Sequence, residues 1–312
     1  MKLKAFLLAI VSIGTLIAGL SGRASAAAPT GITITPAFQM VNVKSDAAET
    51  PITFTITNNR PVAETLNFSV RDFNTLNESG GLFFVGTNPT ALQKKYGLAK
   101  WISLSTDHIN INSKQTIKLQ ASILNLPDLS AGGHYGALMV SLDSGQAPAN
   151  KVGFQPIASS LLFVTKPQGA THTLSLSSVS FSHGLFSLPK SVSLRFQNDG
   201  NTHVVPRGSV YLRNPSGKLV SKGTINENSG VVLPQTFRRY IVNLKPVSSS
   251  SQLGKYQVRV DFRFDGLDQF RSYQQSFWHV SMLKSIALII IIVALIYVLL
   301  HQQVFRFKKS KS

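Results

Sequence analysis

The sequence contains no cysteine among its 312 residues. This absence excludes disulfide cross-links, thiol catalysis, cysteine-ligated metals and anchoring through a lipid-modified N-terminal cysteine. A chain of this size without disulfides must therefore be stabilised by its apolar cores.

Acidic residues are also scarce, since 13 Asp and Glu stand against 31 Lys and Arg, giving a net charge of +18. Seven of the basic residues lie in the terminal segments, and the rest of the chain keeps a net charge of +11. A basic surface favours anionic partners such as wall polymers, acidic glycans or phospholipids. An ordinary solvated surface explains the same charge, and no recognition helix or compact basic run supports nucleic-acid binding.

Sequence motifs for catalysis are missing as well. The chain has no Gly-x-Ser-x-Gly elbow, no His-Glu-x-x-His pair and no phosphate-binding glycine loop. The run Ala131–Gly136 (AGGHYG) is typical of a tight turn that enters a strand. The histidines lack ligand spacing, and Asp261, Asp265 and Asp268 fit cross-strand charge pairing and a turn. We therefore expect no enzymatic activity, no cofactor and no metal.

The first 26 residues have the order of a secretory signal peptide. Lys2 and Lys4 precede an apolar run over 5–20, and small residues follow at 24–26. This pattern predicts export with cleavage after Ala26, whereas an uncleaved N-terminal anchor is the alternative.

The other end of the chain carries a second apolar run. Residues 285–300 read SIALIIIIVALIYVLL, without charge, proline or glycine. The run predicts a transmembrane helix over 280–300, and a buried core helix is the alternative. Four basic residues within 301–312 then predict a basic cytoplasmic tail. The expected location is the cell membrane, with a single pass and the preceding domains outside the cell.

Between the two ends, apolar and polar residues alternate with a period of two. Ile52, Phe54 and Ile56 alternate with threonines, and Tyr256 to Phe264 shows the same pattern. Such short strands, separated by turn sequences, predict a mainly β protein with two immunoglobulin-like β-sandwich domains followed by the transmembrane helix. The first domain is expected over 27–168, with an insertion near 74–112, and the second over 169–279.

A short helix is expected at 90–98 within the insertion, and Trp101 is expected to pack this region onto the sandwich. The densest basic set lies in the second predicted domain, and its functional interpretation is a patch that faces a polyanion. A solvated sheet face that discourages edge-to-edge aggregation is the alternative. The five members of this set are Arg238, Arg239, Arg259, Arg263 and Arg271.

The layout as a whole resembles the WxL-interacting cell-surface proteins of Gram-positive bacteria. The similarity rests on Pro51–Asn59, Gly133–Leu138 and the run Phe196–His203 with Pro206–Gly208, besides the order of the segments. These motifs are structural rather than chemical. The resemblance implies a first domain that binds peptidoglycan and a second domain that binds a partner.

The sequence therefore predicts a membrane-anchored surface protein that binds cell-wall polymer, an extracellular partner protein, or both, as an adhesin or scaffold. An envelope protein-interaction subunit without glycan affinity is the main alternative, because sandwich edges can accept a partner's strand. An envelope enzyme that acts on glycans is the other, and it would need two carboxylates facing each other across a groove.

Overall fold

The protein folds as a mainly β structure with two β-sandwich-like domains in sequence. The computed structural model describes residues 31–143, 156–184, 186–249, 252–280 and 282–309. Within these ranges lie eighteen strands, two α-helices and one short 3₁₀ turn. The predicted signal peptide lies outside the described residues, and its cleavage stays a prediction.

The first sandwich is built from ten strands in two sheets. One sheet has the order β1-β3-β8-β6, and the other has the order β2-β10-β9-β4-β5, with β7 also paired to β4. The strands are β1 (Ile32–Thr35), β2 (Phe38–Asn42), β3 (Glu49–Asn58), β4 (Glu64–Thr75), β5 (Leu82–Phe84), β6 (Ile102–Leu104), β7 (His108–Ile111), β8 (Thr116–Leu124), β9 (Gly132–Leu142) and β10 (Pro156–Lys166).

Alternation along β3 sets the position of this core. Ile52, Phe54 and Ile56 are buried, while Thr53 and Thr55 between them lie on the outer or partly exposed face. The buried residues share one core with Leu66 and Leu138 of the facing sheet and with Leu119 of the neighbouring strand β8. The predicted period-two pattern is therefore confirmed for this strand.

The second sandwich has a three-stranded and a five-stranded sheet. Their orders are β11-β12-β15 and β16-β14-β13-β17-β18. The strands are β11 (Leu174–Ser180), β12 (Ser191–Asn198), β13 (Arg207–Arg213), β14 (Leu219–Ile225), β15 (Phe237–Asn243), β16 (Lys245–Pro246), β17 (Gly254–Arg263) and β18 (Arg271–His279).

The core of the second sandwich follows the alternating residues of β12 and β17. Val192, Leu194 and Phe196 are fully buried, and Val258 and Val260 face them from the other sheet. This division of residues into two cores agrees with two domains. The boundary near 168–172 remains a proposal.

The expected short helix is present as α1 (Ala91–Tyr96) in the described structure. Thr90 caps it, because the Thr90 Oγ1 accepts the backbone N–H of Gln93 at 3.3 Å and the Gln93 side chain accepts the N–H of Thr90 at 2.9 Å. Trp101 is buried in the first core, and its Nε1 donates to Asp128 at 3.0 Å. The expected packing of this region by Trp101 is thus confirmed.

The C-terminal region forms the helix α2 (Met282–Lys309), and its apolar side chains between Ile286 and Leu300 are exposed. Among the described residues, no helix combines the length and apolarity needed to cross a membrane. The prediction of a transmembrane helix over 280–300, with the tail 301–312 on the cytoplasmic side, is corrected on this finding.

Candidate functional site

A third apolar cluster joins the two sandwiches. Its members come from the outer face of the larger first-domain sheet, among them Phe73, Tyr135 and Phe163, and from second-domain loops, among them Val205 and Leu233. Because this cluster covers one face and the first core covers the other, β9 is buried at every position from Gly132 to Ser141. The sequence of β9 therefore shows no alternation of apolar and polar residues.

Polar contacts reinforce the junction on both sides of this cluster. At one side, the Gly133 N–H donates to the Asn201 carbonyl at 2.8 Å, and the hydroxyls of Thr165 and Thr202 lie 3.2 Å apart. At the other, the tip of the β4–β5 hairpin reaches β15, where the Arg239 N–H donates to the Glu78 carbonyl at 2.6 Å. The two sandwiches therefore share both apolar and backbone contacts.

The Glu78 carboxylate is the electrostatic centre of the hairpin contact. Nε and Nη2 of Arg195 donate to its two oxygens at 2.9 and 2.6 Å, and Nη2 of Arg239 lies 3.4 Å away. The hydrogen bonds from Arg195 lower the pKa of Glu78 below its usual range, and the nearby charges of both arginines act in the same direction. The bidentate pair fixes the orientation of the hairpin as well as its charge.

His203 lies within the junction, surrounded by aromatic rings. Its ring centroid is 5.8 Å from that of Tyr135 and 5.6 Å from that of Phe163, both in edge-to-face geometry. Burial lowers the pKa of His203 to about 4, so the ring is neutral at physiological pH. A cavity of about 440 Å³ beside it is lined by residues that include His172, Arg207 and Asp265.

One half of β10 has an open edge. β9 pairs with β10 along its length, but β2 pairs only with Leu161–Thr165, and the β1–β2 connection contacts Ser160 through the Pro36 carbonyl. No described strand pairs with the other side of 156–159. The Leu161 N–H donates to the Ala37 carbonyl on the β2 side at 2.9 Å. Because backbone groups two residues apart point the same way in a strand, the N–H and carbonyl of Ser159 face the open edge.

Apolar side chains stand next to this edge without being buried. Ile157 is 43% exposed on β10, and Phe38 and Met40 on β2 are 56% and 48% exposed. Phe38 and Met40 line a cavity of about 280 Å³ that extends to Leu161 and Phe163 and to the second-domain loop around Val231. Exposed apolar side chains that adjoin unpaired backbone groups are a typical feature of strand-accepting surfaces.

The five arginines of the predicted patch are divided between two sheets. Arg238 and Arg239 lie on β15, whereas the other three lie on β17 and β18. Arg259 and Arg263 share the outer face of β17, but Arg271 stands opposite the buried Phe262 and therefore faces the other side. The structure thus brings Arg238 close to Arg239 and Arg259 close to Arg263, but it does not join all five arginines in one patch. Polyanion binding stays a prediction.

Several of these arginines already have partners in the fold. Nε of Arg259 lies 2.8 Å from a carboxylate oxygen of Asp261, which confirms the expected charge pairing on this strand. Nη1 of Arg271 donates to the Leu174 carbonyl at 3.2 Å. The Arg263 guanidinium lies 5.4 Å from the ring centroid of Phe270. These three arginines therefore already interact with groups of the second sandwich.

The glycine run at 131–136 has a structural role, but the predicted tight turn is wrong for most of it, because β9 already begins at Gly132. His134 is fully buried, and its two ring nitrogens lie 3.0 and 2.9 Å from the carbonyls of Gly97 and Ser130. Within the described residues, no group of three or more His, Asp and Glu side chains could hold a metal ion.

Sequence reasoning missed the open edge and the junction. Half of β10 is left unpaired because β2 begins to pair only partway along it. No local feature of the sequence indicates the register between these two strands. The one available indication was the continuously apolar and small-residue stretch 132–142, since a strand buried on both faces needs a second layer above it.

Comparisons with known proteins gave matches of structure only. No family model matches the chain, and no curated protein sequence matches it. Among solved structures, it is similar to a chaperone–tip adhesin complex of CFA/I fimbriae biogenesis, with 8% identity over 81% of this chain and 100% of the other and a TM-score of 0.41. The class 5 fimbriae chaperone CfaA matches with 6% identity over the same shares and a TM-score of 0.40. The CsuC–CsuE chaperone–tip adhesion subunit complex of Acinetobacter baumannii matches with 16% identity over 81% of this chain and 100% of the other, at a TM-score of 0.37.

These findings correct the resemblance to WxL-interacting proteins. No family model supports that family, and the matched structures are described as fimbrial chaperones. The Asn and Gly positions that suggested it are explained by turn geometry, because the Asn198 side chain bonds to its own turn.

The function predicted from this resemblance is corrected as well. A membrane-anchored adhesin that binds peptidoglycan at the cell surface conflicts with these matches and with the finding on membrane-spanning helices. That the chain is not an enzyme stays a prediction of the sequence.

Proposed function

We propose that this chain is a non-enzymatic protein-binding module whose two sandwiches are immunoglobulin-like. It binds an extended segment of a partner protein along the open edge of β10. The observation that carries this proposal is the unpaired edge at 156–159, where no described strand pairs with the backbone of Ser159.

Two further features support binding of a strand at this position. The core and the domain junction hold β10 on both faces and β9 holds its other edge, so the edge is already in the extended conformation. Binding of a partner strand at this edge therefore costs little conformational entropy in the protein itself. Ile157, Phe38 and Met40 supply apolar surface on which side chains of an added strand can pack.

A proline substitution tests the edge directly. In Ser159→Pro, the ring removes only the N–H that points to the open edge, and the ladder with β9 keeps its hydrogen bonds. Ser159→Ala is the matched control because it changes the side chain but keeps the N–H. Both variants are compared with the unmodified protein against a library of peptides with alternating apolar and polar residues.

We expect the unmodified protein and Ser159→Ala to select the same peptides. Ser159→Pro should bind them about tenfold more weakly, from the loss of one backbone hydrogen bond and the steric effect of the ring. Amide hydrogen exchange should show that bound peptide protects the Ser159 N–H in the unmodified protein. Equal binding to Ser159→Pro, or a failure of every peptide to bind, would contradict the proposal.

A further inference from the structure

A third cavity lies on the side of the domain junction where the β4–β5 hairpin contacts the second sandwich. It has a volume of about 400 Å³ and opens between the edge of β15, the β14–β15 loop and the tip of the β4–β5 hairpin. Arg238, Arg239 and Lys245 line it, against one acidic residue, Glu227. The cavity therefore has an excess of positive charge, and its remaining lining is mainly polar.

Arg238 is held in place by its surroundings. Its Nη1 donates to the Val231 carbonyl at 2.6 Å, and its guanidinium lies 5.4 Å from the ring centroid of Tyr240. Gly80 and Gly230 flank Nη2 so closely that a methyl group at either position would overlap it. The guanidinium thus lies in a narrow slot between Gly80 and Gly230, and the absence of a side chain at both positions makes room for it.

The charge of Arg238 has no counterion within the described residues. The ion pairs of this part of the chain include neither Arg238 nor Lys245, whereas Arg195, Arg207 and Arg259 each contact a carboxylate. The Nε of Arg238 is also buried without a hydrogen-bond acceptor. A guanidinium that is fixed at the cavity wall and has no carboxylate partner among the described residues fits an oxyanion ligand.

We propose that this cavity is an oxyanion-binding site. Arg238 is its principal donor, and Lys245 adds charge from the exposed strand β16. Polar side chains of Thr224, Asn228 and Asn243 line the same space and can orient the rest of the ligand. The ligand chemistry is a carboxylate or phosphate group, supplied by an acidic side chain of a protein or by a free anion. The site does not depend on strand binding at β10.

The test uses inorganic phosphate and N-acetylaspartate as probes, with calorimetry and the side-chain N–H resonance of Arg238 as readouts. We expect saturable binding of at least one probe to the unmodified protein at low ionic strength. Arg238→Gln should weaken it by about tenfold and Lys245→Gln by about threefold, since each removes a charge that contacts or faces the anion. Lys218→Gln, an exposed lysine on a distant turn, is the control and should leave the affinity unchanged.

The two probes distinguish the sources of the anion. Competition between phosphate and N-acetylaspartate indicates a site for either group, whereas binding of N-acetylaspartate alone assigns it to an acidic side chain. If Arg238→Gln fails to fold, the reversed charge in Lys245→Glu decides the question. The proposal is overturned if neither probe binds, or if Lys218→Gln weakens binding as much as the cavity variants do.

Discussion

At the scale of single residues, burial decides how polar groups behave in this protein. Tyr135, His203 and Tyr240 are buried polar rings, and desolvation is the main cause of each pKa shift. Glu78 and Asp128 shift for a different reason, because hydrogen bonds from basic side chains lower their pKa. The pKa shifts of the buried rings affect the free energy of unfolding most, because solvent screens the exposed ion pairs of Glu78 and Asp128.

The neutral His203 should make stability depend on pH. Its pKa falls from 6.5 to about 4 in the folded protein, so the unfolded chain takes up a proton first as the pH is lowered. The stabilisation is therefore complete above the unfolded pKa and is lost progressively between the two values. Linkage gives a loss of about 2 kcal/mol between roughly pH 7 and pH 5.

The measurement is urea denaturation of the unmodified protein and of His203→Phe across this pH range. Phenylalanine keeps the aromatic packing on Tyr135 and Phe163 but cannot be protonated. Its free energy of unfolding should vary less with pH than that of the unmodified protein. His108→Gln, at an exposed histidine, is the control. Identical pH profiles for His203→Phe and the unmodified protein would contradict the assignment.

At the scale of elements, a buried asparagine side chain fixes the turn at the end of one strand in each sandwich. Asn58 ends β3 and Asn198 ends β12, and both side chains are fully buried. Each Oδ1 accepts the backbone N–H two residues later, and each Nδ2 donates to the carbonyl four residues later. Each Nδ2 also donates to a carbonyl of a separate loop, that of Asn112 for Asn58 and that of Val232 for Asn198. The two turns are therefore fixed in the same way in both domains.

Removing one of these side chains should destabilise the protein markedly. Asn198→Ala removes the side-chain partner of the Gly200 N–H and of the Thr202 carbonyl in a buried position, whereas the Val232 carbonyl keeps the Val204 N–H. We expect the free energy of unfolding to fall by about 3 kcal/mol, measured by chemical denaturation.

Asn243→Ala is the matched control because Asn243 is exposed on β15. It should change the free energy of unfolding by less than about 0.5 kcal/mol. A loss for Asn198→Ala no larger than that of the control would show that water replaces the side chain in the turn.

At the scale of the whole molecule, the junction couples the two sandwiches. The third apolar cluster, the Glu78 contact and the backbone bond between Gly133 and Asn201 all cross it. Buried apolar side chains from both sandwiches hold the junction together, in contrast to the more polar interfaces of domains that move independently. We therefore expect the described part of the chain to unfold in one cooperative transition.

Calorimetry of Leu233→Ala tests this coupling. Leu233 is buried in the junction, and its truncation should cost about 3 kcal/mol from lost burial and the cavity left behind. Because the loss falls on the contact between domains, the single transition should broaden or divide into two. Leu253→Ala, at a leucine that is 57% exposed, is the control. Two separate transitions in the unmodified protein would contradict the coupling.

The sequence by itself determined the longer alternating strands and their inward faces. Alternation along β3, β12 and β17 predicts which side chains are buried, because the period of two is a local property of the backbone. The turn at Asn198 and the short helix expected at 90–98 are local signals as well, and the structure contains both. The apolar run at the C-terminal end predicted a membrane span, and the structure did not support that step.

The tertiary structure alone decided what the strands leave exposed. The open half of β10 exists because β2 pairs only from Leu161 onward, and the slot of Arg238 exists because Gly80 and Gly230 meet across two domains. Residues distant in sequence meet at these places. No local periodicity encodes such meetings, since they depend on register and on how one domain packs against the other.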